Sequence, residues 1–350
     1  MRGGSSRGPY FLASDLPADV ALRDAVLLAA MGSPHQLQVD GIGGANSLTS
    51  KVAIVSPSTE PGVDVDYLFA QVDIARALVD TRPNCGNMLA GVGPFALEAG
   101  LVRATGEETL VRIRNTNTGA LVDALVRTPG GEVTYEGNAE IPGVNGTAAP
   151  IMLRFREIAG AKTGRLFPTG LRADVIDGIA VSLVDCAMPM MILAAADLGV
   201  SADAPPAEID ADKALLARIE AIRMEAGRRM GFGDVTDSVV PKVGLVGPTE
   251  GADFAVRYLT PHAVHKALAV TGAICLAAAS KVPGTTVPPS AGDTVLIRHP
   301  GGILEVPIEM NGEEDVAWAG MLRTARRIME GTLLVPGRVW AGHHLAIAAE

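Results

Sequence analysis

The sequence predicts an α+β protein of two similar lobes, each a sheet of short strands wrapped around one central helix. Forty glycines and 23 prolines in a chain of 350 residues mark many tight turns between short elements. Two segments of small apolar residues, 88–99 and the stretch beginning at Thr271-Gly272, have helical composition, and each follows a glycine-containing turn. Short strands lead into both segments, so the two halves rhyme without sharing enough identities to form a sequence repeat.

In chain order, GIGGANSLTSK (Gly41–Lys51) is a glycine-rich loop, the VAIV after it a strand, and VDYLFAQVDI a second, alternating strand. A turn at Asn84–Asn87 leads into the first helix, closed by Gly100. Two strands meeting near Asn117-Thr118-Gly119 form a hairpin, and the short-strand style continues to about residue 160, giving a strand-rich unit around one helix. Composition changes at GAKTGRLFPTG, which places the first lobe at 1–164 and the second at 165–350, with room for the C-terminal segment to cross back. In the second lobe GIAVSLVDCAMPMMILAAADLG gives a strand, a turn and a buried strand. Asp212–Met230 is the longest amphipathic helix, and VPKVGLVGP and DFAVRYLTP are strands. DTVLIRHPGGILEVPIEM adds strands after the second small-residue helix, and a helix or strand–helix unit closes the chain.

Composition narrows the function. Hydrophobic residues make up 48% and charged residues 19%, a globular balance. The formal net charge of −10, with no basic stripe, argues against nucleic-acid binding. The two longest apolar runs, 186–196 and 267–279, fall well short of the ~20 residues that span a bilayer. The start, MRGGSSRGPYFLASDL, has no apolar core of signal-peptide length. Three widely spaced cysteines fit reduced thiols better than a disulfide framework, so the expected location is cytoplasmic.

Cys85, in RPNCGNMLA, stands at the expected mouth of the first helix, where a macrodipole and free N–H groups favour a thiolate. The amides of Gly86 and Asn87 could hold a carboxylate. The alternative is a buried structural cysteine, against which the flanking asparagines argue. Lys51 joins a polar loop to an apolar strand; it is either an exposed strand-end lysine or a partly desolvated base. GIGGAN lacks the third glycine of a dinucleotide fingerprint and precedes a strand, so an anion-facing turn is the better reading. His262 and His265 form an H-x-x-H pair without a third ligand at metal spacing, which makes a solvated or substrate-facing histidine the expectation and a metal site unexpected. Arg2 and Arg257 are the isolated guanidinium candidates for a carboxylate clamp. Cys186 and Cys275 lie in apolar runs and belong to the core.

With these residues in place, the sequence resembles the PrpF family, relatives of diaminopimelate epimerase, over essentially its whole length. The motifs are MRGGSSRG, DGIGGANSLTSKVAIV, NCGNMLAGVGPFALE, LFPTG and HKALAVTGA, in that order. The resemblance implies two pseudo-symmetric diaminopimelate-epimerase-like lobes with the active site in the cleft between them. The family usually has a strand ahead of MRGG, so a shortened start and a looser first lobe are expected. The epimerases use two cysteines, one at each central helix; Ala269 stands where the second would be, and Cys275 lies too far along to replace it. A two-thiol racemase is therefore disfavoured.

The first-lobe motifs look closest to 4-oxalomesaconate tautomerases and Δ-isomerases of gallate and protocatechuate breakdown. HKALAVTGA and LFPTG look more like the methylaconitate isomerase branch. The implied reaction is a cofactor-independent proton and double-bond shift in an unsaturated di- or tricarboxylate, with no metal required. Lys51 is the expected base, and Cys85 the acid or the stabiliser of a dienolate. The implied substrate-binding set is Arg2, Gly3, Gly4, Ser5 and Ser6, then Asn46, Ser47 and Ser50, then Asn84, Gly86 and Asn87, and in the second lobe Thr169, His262, Thr271 and Gly272. The rival readings are a 2-methylaconitate or aconitate isomerase and a non-catalytic small-acid binding protein. A homodimer fits a cleft enzyme of this size.

Overall fold

A computed structural model describes residues 1–260 and 262–341. These form two compact units: Met1–Leu153 joined by the segment from Leu322 onward, and Arg154–Met321. The composition change at 160–170 lies inside the second unit.

The first unit opens on β1 (Arg2–Gly3) and β2 (Ser6–Arg7), an antiparallel pair turning at Gly4-Ser5. β1 also pairs with the last short strand, β18 (Ala325–Arg326), so the C-terminal segment is tied to the first motif of the chain. The main sheet runs from β3 (Tyr10–Leu12) through β4 (Lys51–Pro57), β5 (Val65–Val72), β7 (Glu108–Asn115) and β8 (Leu121–Arg127) to β9 (Ile151–Arg156), with β6 (Val79–Asp80) on β5. The β7–β8 hairpin forms as the Asn-Thr-Gly signal predicts, with Gly119 at φ 77°.

Two helical expectations change here. Residues 88–99 are not one helix but two, α2 (Gly86–Leu89) and α3 (Val92–Glu98). The reason is Pro94, in the first turn of α3: it has no N–H to donate to the Ala90 carbonyl and its ring opposes that carbonyl, so the helix breaks between Leu89 and Val92. The other change is α1 (Val20–Met31), a helix absent from the expected order. Asp19 caps it by accepting the Leu22 amide at 2.8 Å, and Gly32 ends it in the left-handed region at φ 73°. Its Leu27 and Met31 pack against Val52, Ile54, Ala70 and Val72 of β4 and β5. α2 touches β1, β2 and β4, whereas α3 touches β4, β7 and β8. β4 and β8 are separated by two strands in the sheet order, so the sheet curls around the helix pair.

The second unit keeps sequence order across its sheet: β10 (Asp174–Ile176), β11 (Ile179–Cys186), β12 (Met188–Ala194), β13 (Lys242–Gly247), β14 (Phe254–Leu259), β15 (Thr294–His299), β16 (Gly302–Met310) and β17 (Val316–Arg323). Two neighbouring pairs are parallel, β12–β13 and β14–β15. Parallel neighbours need a crossover. The first carries α4 (Pro206–Ala211) and α5 (Lys213–Arg229), the latter capped by Asp212 on the Leu215 amide at 2.9 Å; the second carries α6 (Val270–Lys281). α6 is buried from Gly272 to Ser280 and contacts β11, β12 and β16. Contact with strands so far apart in one order requires a curled sheet. Gly272 is required for this packing, since a Cβ there would lie 2.8 Å from the Tyr258 ring. No helix follows α6 among the described residues: a turn bonded from the Asn311 amide to the Asp315 carbonyl (2.8 Å) folds the chain back as β17 instead. Each unit is thus the α+β build expected, a curled sheet around a buried helical core. No described helix is long and apolar enough to cross a membrane.

Candidate active site

Alternation along a strand puts Tyr67, Phe69 and Gln71 on one face of β5. These three side chains organise the surroundings of both residues expected to be catalytic. Lys51, the first residue of β4, stands opposite Gln71 in register. Its Nζ donates to Gln71 Oε1 at 2.7 Å and lies 4.9 Å from the centroid of the Phe69 ring. Lys51 is half-buried, and no carboxylate among the described residues pairs with it. At the other end of the face, the Tyr67 hydroxyl donates to the backbone carbonyl of Cys85 at 3.3 Å. Burial, reinforced by the neighbouring Cys85, raises the Tyr67 phenol well above its ordinary range, so it stays a donor. Between them, Asn117 from the β7–β8 turn brackets Phe69: its Oδ1 accepts the Phe69 amide (2.8 Å) and its Nδ2 donates to the Phe69 carbonyl (2.8 Å). The same Nδ2 reaches the Thr81 carbonyl at 2.6 Å, fixing the segment that leads to Cys85.

Cys85 is partly exposed and occupies the N-cap of α2, which is a single turn of four residues. The dipole behind the thiol is accordingly that of one turn, smaller than a continuous helix would supply. Asn84 is exposed beside it, and Gly86 and Asn87 are half-buried. Asn87 Nδ2 donates to Ser5 Oγ at 3.1 Å, which clasps the cysteine turn to the N-terminal turn. Gly4 makes this approach possible: its φ is 51°, and a Cβ there would lie 2.2 Å from Asn87 Oδ1. Gly3 is nearly as close, its Cβ position being 2.5 Å from the Asn87 carbonyl. Gly4→Ala is therefore expected to cost about 1–3 kcal/mol from backbone conformation alone and to push Asn87 off Ser5. Urea unfolding should show the loss of stability, and turnover should fall with it.

Arg2 does not hang free at this turn. Its Nη1 donates to the Gly4 carbonyl (2.8 Å) and to both the carbonyl (3.1 Å) and hydroxyl (3.0 Å) of Thr324. Burial and the nearby Arg326 hold its guanidinium below the usual arginine range. Ser6 Oγ is buried and has no hydrogen-bond partner among the described residues.

The glycine-rich loop is more self-contained than an anion-facing turn would be. The amides of Ile42 and Gly43 donate to the carbonyls of Ala30 and Met31 at the end of α1. The Ala45 amide donates to Gln38 Oε1 (2.9 Å), the Leu48 amide to Asn46 Oδ1 (2.9 Å), and the Thr49 amide to the Asn46 carbonyl (2.9 Å). Ser50 is fully buried; its hydroxyl donates to the Val72 carbonyl (2.9 Å) and accepts from Gln38 Nε2 (2.7 Å). Asn46 and Ser50 thus shape the loop, while Ser47 is left exposed at its tip.

In the second unit, Thr169 Oγ1 donates to Asp174 Oδ2 at 2.7 Å. His262 is exposed, with Nδ1 3.7 Å from Glu220 Oε2, and His265 accepts the Ala267 amide through its own Nδ1 (3.0 Å). Among the described residues, no group of three or more His, Cys, Asp or Glu side chains could hold a metal ion. Thr271 and Gly272 lie in the first turn of α6, whose N-cap is Ala269. Arg257 is not available as a carboxylate clamp: it is 5% exposed and donates to the carbonyls of Ala204 (2.5 Å) and Val256 (3.0 Å). Cys186 and Cys275 are fully buried, as their apolar context predicts, and burial pushes both thiols up. Sequence reasoning missed Gln71, Gln38 and Asn117, whose amides hold this site together. Only the alternation of VDYLFAQV, which places a polar Gln71 in line with two aromatics, signalled one of them.

In the first unit, a curled sheet around buried helices, one strand face thus serves both a lysine and a cysteine. The chain belongs to the PrpF family, which it matches over residues 1–336. It is 50% identical over 342 residues to the (4E)-oxalomesaconate Delta-isomerase of Novosphingobium sp. (strain KA1), covering 96% of each chain. It is 46% identical over 350 residues to the 4-oxalomesaconate tautomerase of Pseudomonas putida, covering 98% of this chain and 96% of that one. The crystal structure of a methylitaconate-delta-isomerase superposes with a TM-score of 0.90 at 38% identity, over 99% of this chain and 97% of that one. The protein is an isomerase.

Proposed function

We propose that the protein shifts a proton and a double bond in an unsaturated polycarboxylate, with 4-oxalomesaconate as substrate, in the cytoplasmic breakdown of gallate or protocatechuate. The observation that carries the substrate is the identity of about half the chain, end to end, with two relatives named for that acid. The chemistry rests on Lys51 and Cys85. A C–H bond flanked by a carbonyl or carboxylate is acidic because its conjugate base is a delocalised dienolate. The Lys51 amine takes that proton, and the electron pair spreads across the neighbouring double bond. Cys85 gives a proton to the far carbon, the double bond settles in its new position, and proton exchange with solvent resets both groups. Atoms and charge balance without an oxidant. General acid–base catalysis of this kind contributes ~10²–10⁴-fold. Backbone amides at Gly86 and Asn87 are the donors assigned to the substrate's anionic end.

Proton NMR of the purified protein with 4-oxalomesaconate, 2-methylaconitate and aconitate tests the assignment. Bond migration with 4-oxalomesaconate is the expected result. Migration only in an aconitate would move the chain to the methylaconitate branch, and binding without conversion of any of the three would make it an acid-binding protein.

A further inference from the structure

We propose that Gln71 is a positioning residue for the reaction: one end of its amide aims the Lys51 amine and the other end locks the 46–50 loop to it. This inference rests on the reading of Lys51 as the base. The orientation of the amide follows from chemistry. The carbonyls of Ser47 (3.2 Å) and Ser50 (2.9 Å) can only accept, so the amide nitrogen faces them, and the atom left to accept from Nζ at 2.7 Å is the amide oxygen. No other side chain does both jobs at this length. Methionine offers neither group, asparagine is one methylene too short, and glutamate loses the donor while placing a charge on the amine.

The geometry explains why a neutral acceptor is needed. A neutral lysine amine has two N–H bonds and one lone pair. With one N–H held by Gln71 Oε1 and the ring of Phe69 lying against the amine, the lone pair is turned away from both, toward an incoming C–H bond. A carboxylate at position 71 would favour the ammonium, which has no lone pair to offer. The other titratable groups around this face are Tyr67, which stays a protonated donor, Cys85 beyond it, and Asp80, which stands opposite Gln71 on β6 and is paired with Arg82 at 2.8 Å. Lys51 has no ion-pair partner among the described residues, so a charge introduced at 71 would act on it directly.

The test compares wild type, Gln71→Met, Gln71→Glu and Lys51→Met, using whichever of 4-oxalomesaconate and 2-methylaconitate the wild type converts, with initial rates followed across pH. Gln71→Met is expected to lower kcat by roughly 10–100-fold, the scale of a misplaced catalytic group, with KM little changed. In Gln71→Glu the rise of kcat/KM with pH should move upward by about one unit or more, so that raising the pH recovers activity that Gln71→Met cannot recover. A purely structural amide would move neither the pH profile nor the split between kcat and KM. Wild-type kcat in Gln71→Met, or an unshifted profile in Gln71→Glu, overturns the proposal while Lys51→Met stays inactive. Turnover by Lys51→Met, or conversion of neither probe by wild type, overturns the underlying reading of Lys51 instead.

Discussion

Lys51→Met should abolish turnover, by about 10²–10⁴-fold or more, while leaving the fold in place. The native side chain is half-buried with its Nζ near the Phe69 ring, so methionine keeps the apolar stem in that contact. Only one hydrogen bond is lost, the one to Gln71, and the glutamine retains its two bonds to the loop carbonyls. A single bond of this type is worth about 1 kcal/mol, too little to unfold a unit of this size. Circular dichroism and thermal unfolding should therefore resemble wild type, and the rate loss would be chemical. A variant that unfolds instead would show that the lysine holds β4 in place.

Cys85→Ala should have the second largest effect, and a different one. The backbone carbonyl of residue 85 still accepts from Tyr67, and α2 still begins at the same place, so the turn should survive. With Lys51 intact the first proton still comes off, and in D₂O it is replaced at the same carbon by deuterium. Bond migration should fall by about 10²–10⁴-fold because no group remains to protonate the far carbon. Exchange without migration is thus the expected signature, read by following both NMR signals in one tube. Loss of both together would assign Cys85 to stabilising the dienolate.

Much of this arrangement could be read from the sequence, and the parts that could not have a common cause. The strand order around VAIV and VDYLFAQV, the hairpin at Asn117–Gly119, the Asp212 cap and the buried helix after Ala269 follow from local pattern. The break in the first helix was also on the page, because Pro94 forbids an unbroken helix through residues 88–99. So was α1, announced by Asp19 ahead of its apolar stretch and Gly32 behind it. The amide network was not legible. Gln71 meets Lys51 only because β4 and β5 pair in that register, and Asn117 meets Phe69 from a hairpin 48 residues away. A lone polar residue in an alternating strand looks solvent-facing until the neighbouring strand is known. Arg257 shows the converse: isolated in sequence it resembles a ligand clamp, but its guanidinium is consumed by two backbone carbonyls.

The central claim is that two groups, Lys51 and Cys85, move a proton through exchange with solvent. The most direct test is the deuterium content of the product formed from 4-oxalomesaconate in D₂O by wild type, set beside Lys51→Met. The account predicts one solvent deuteron at the carbon that gains a proton in wild type, and no product from the variant. Product free of deuterium, or product formed by Lys51→Met at the wild-type rate, would contradict it.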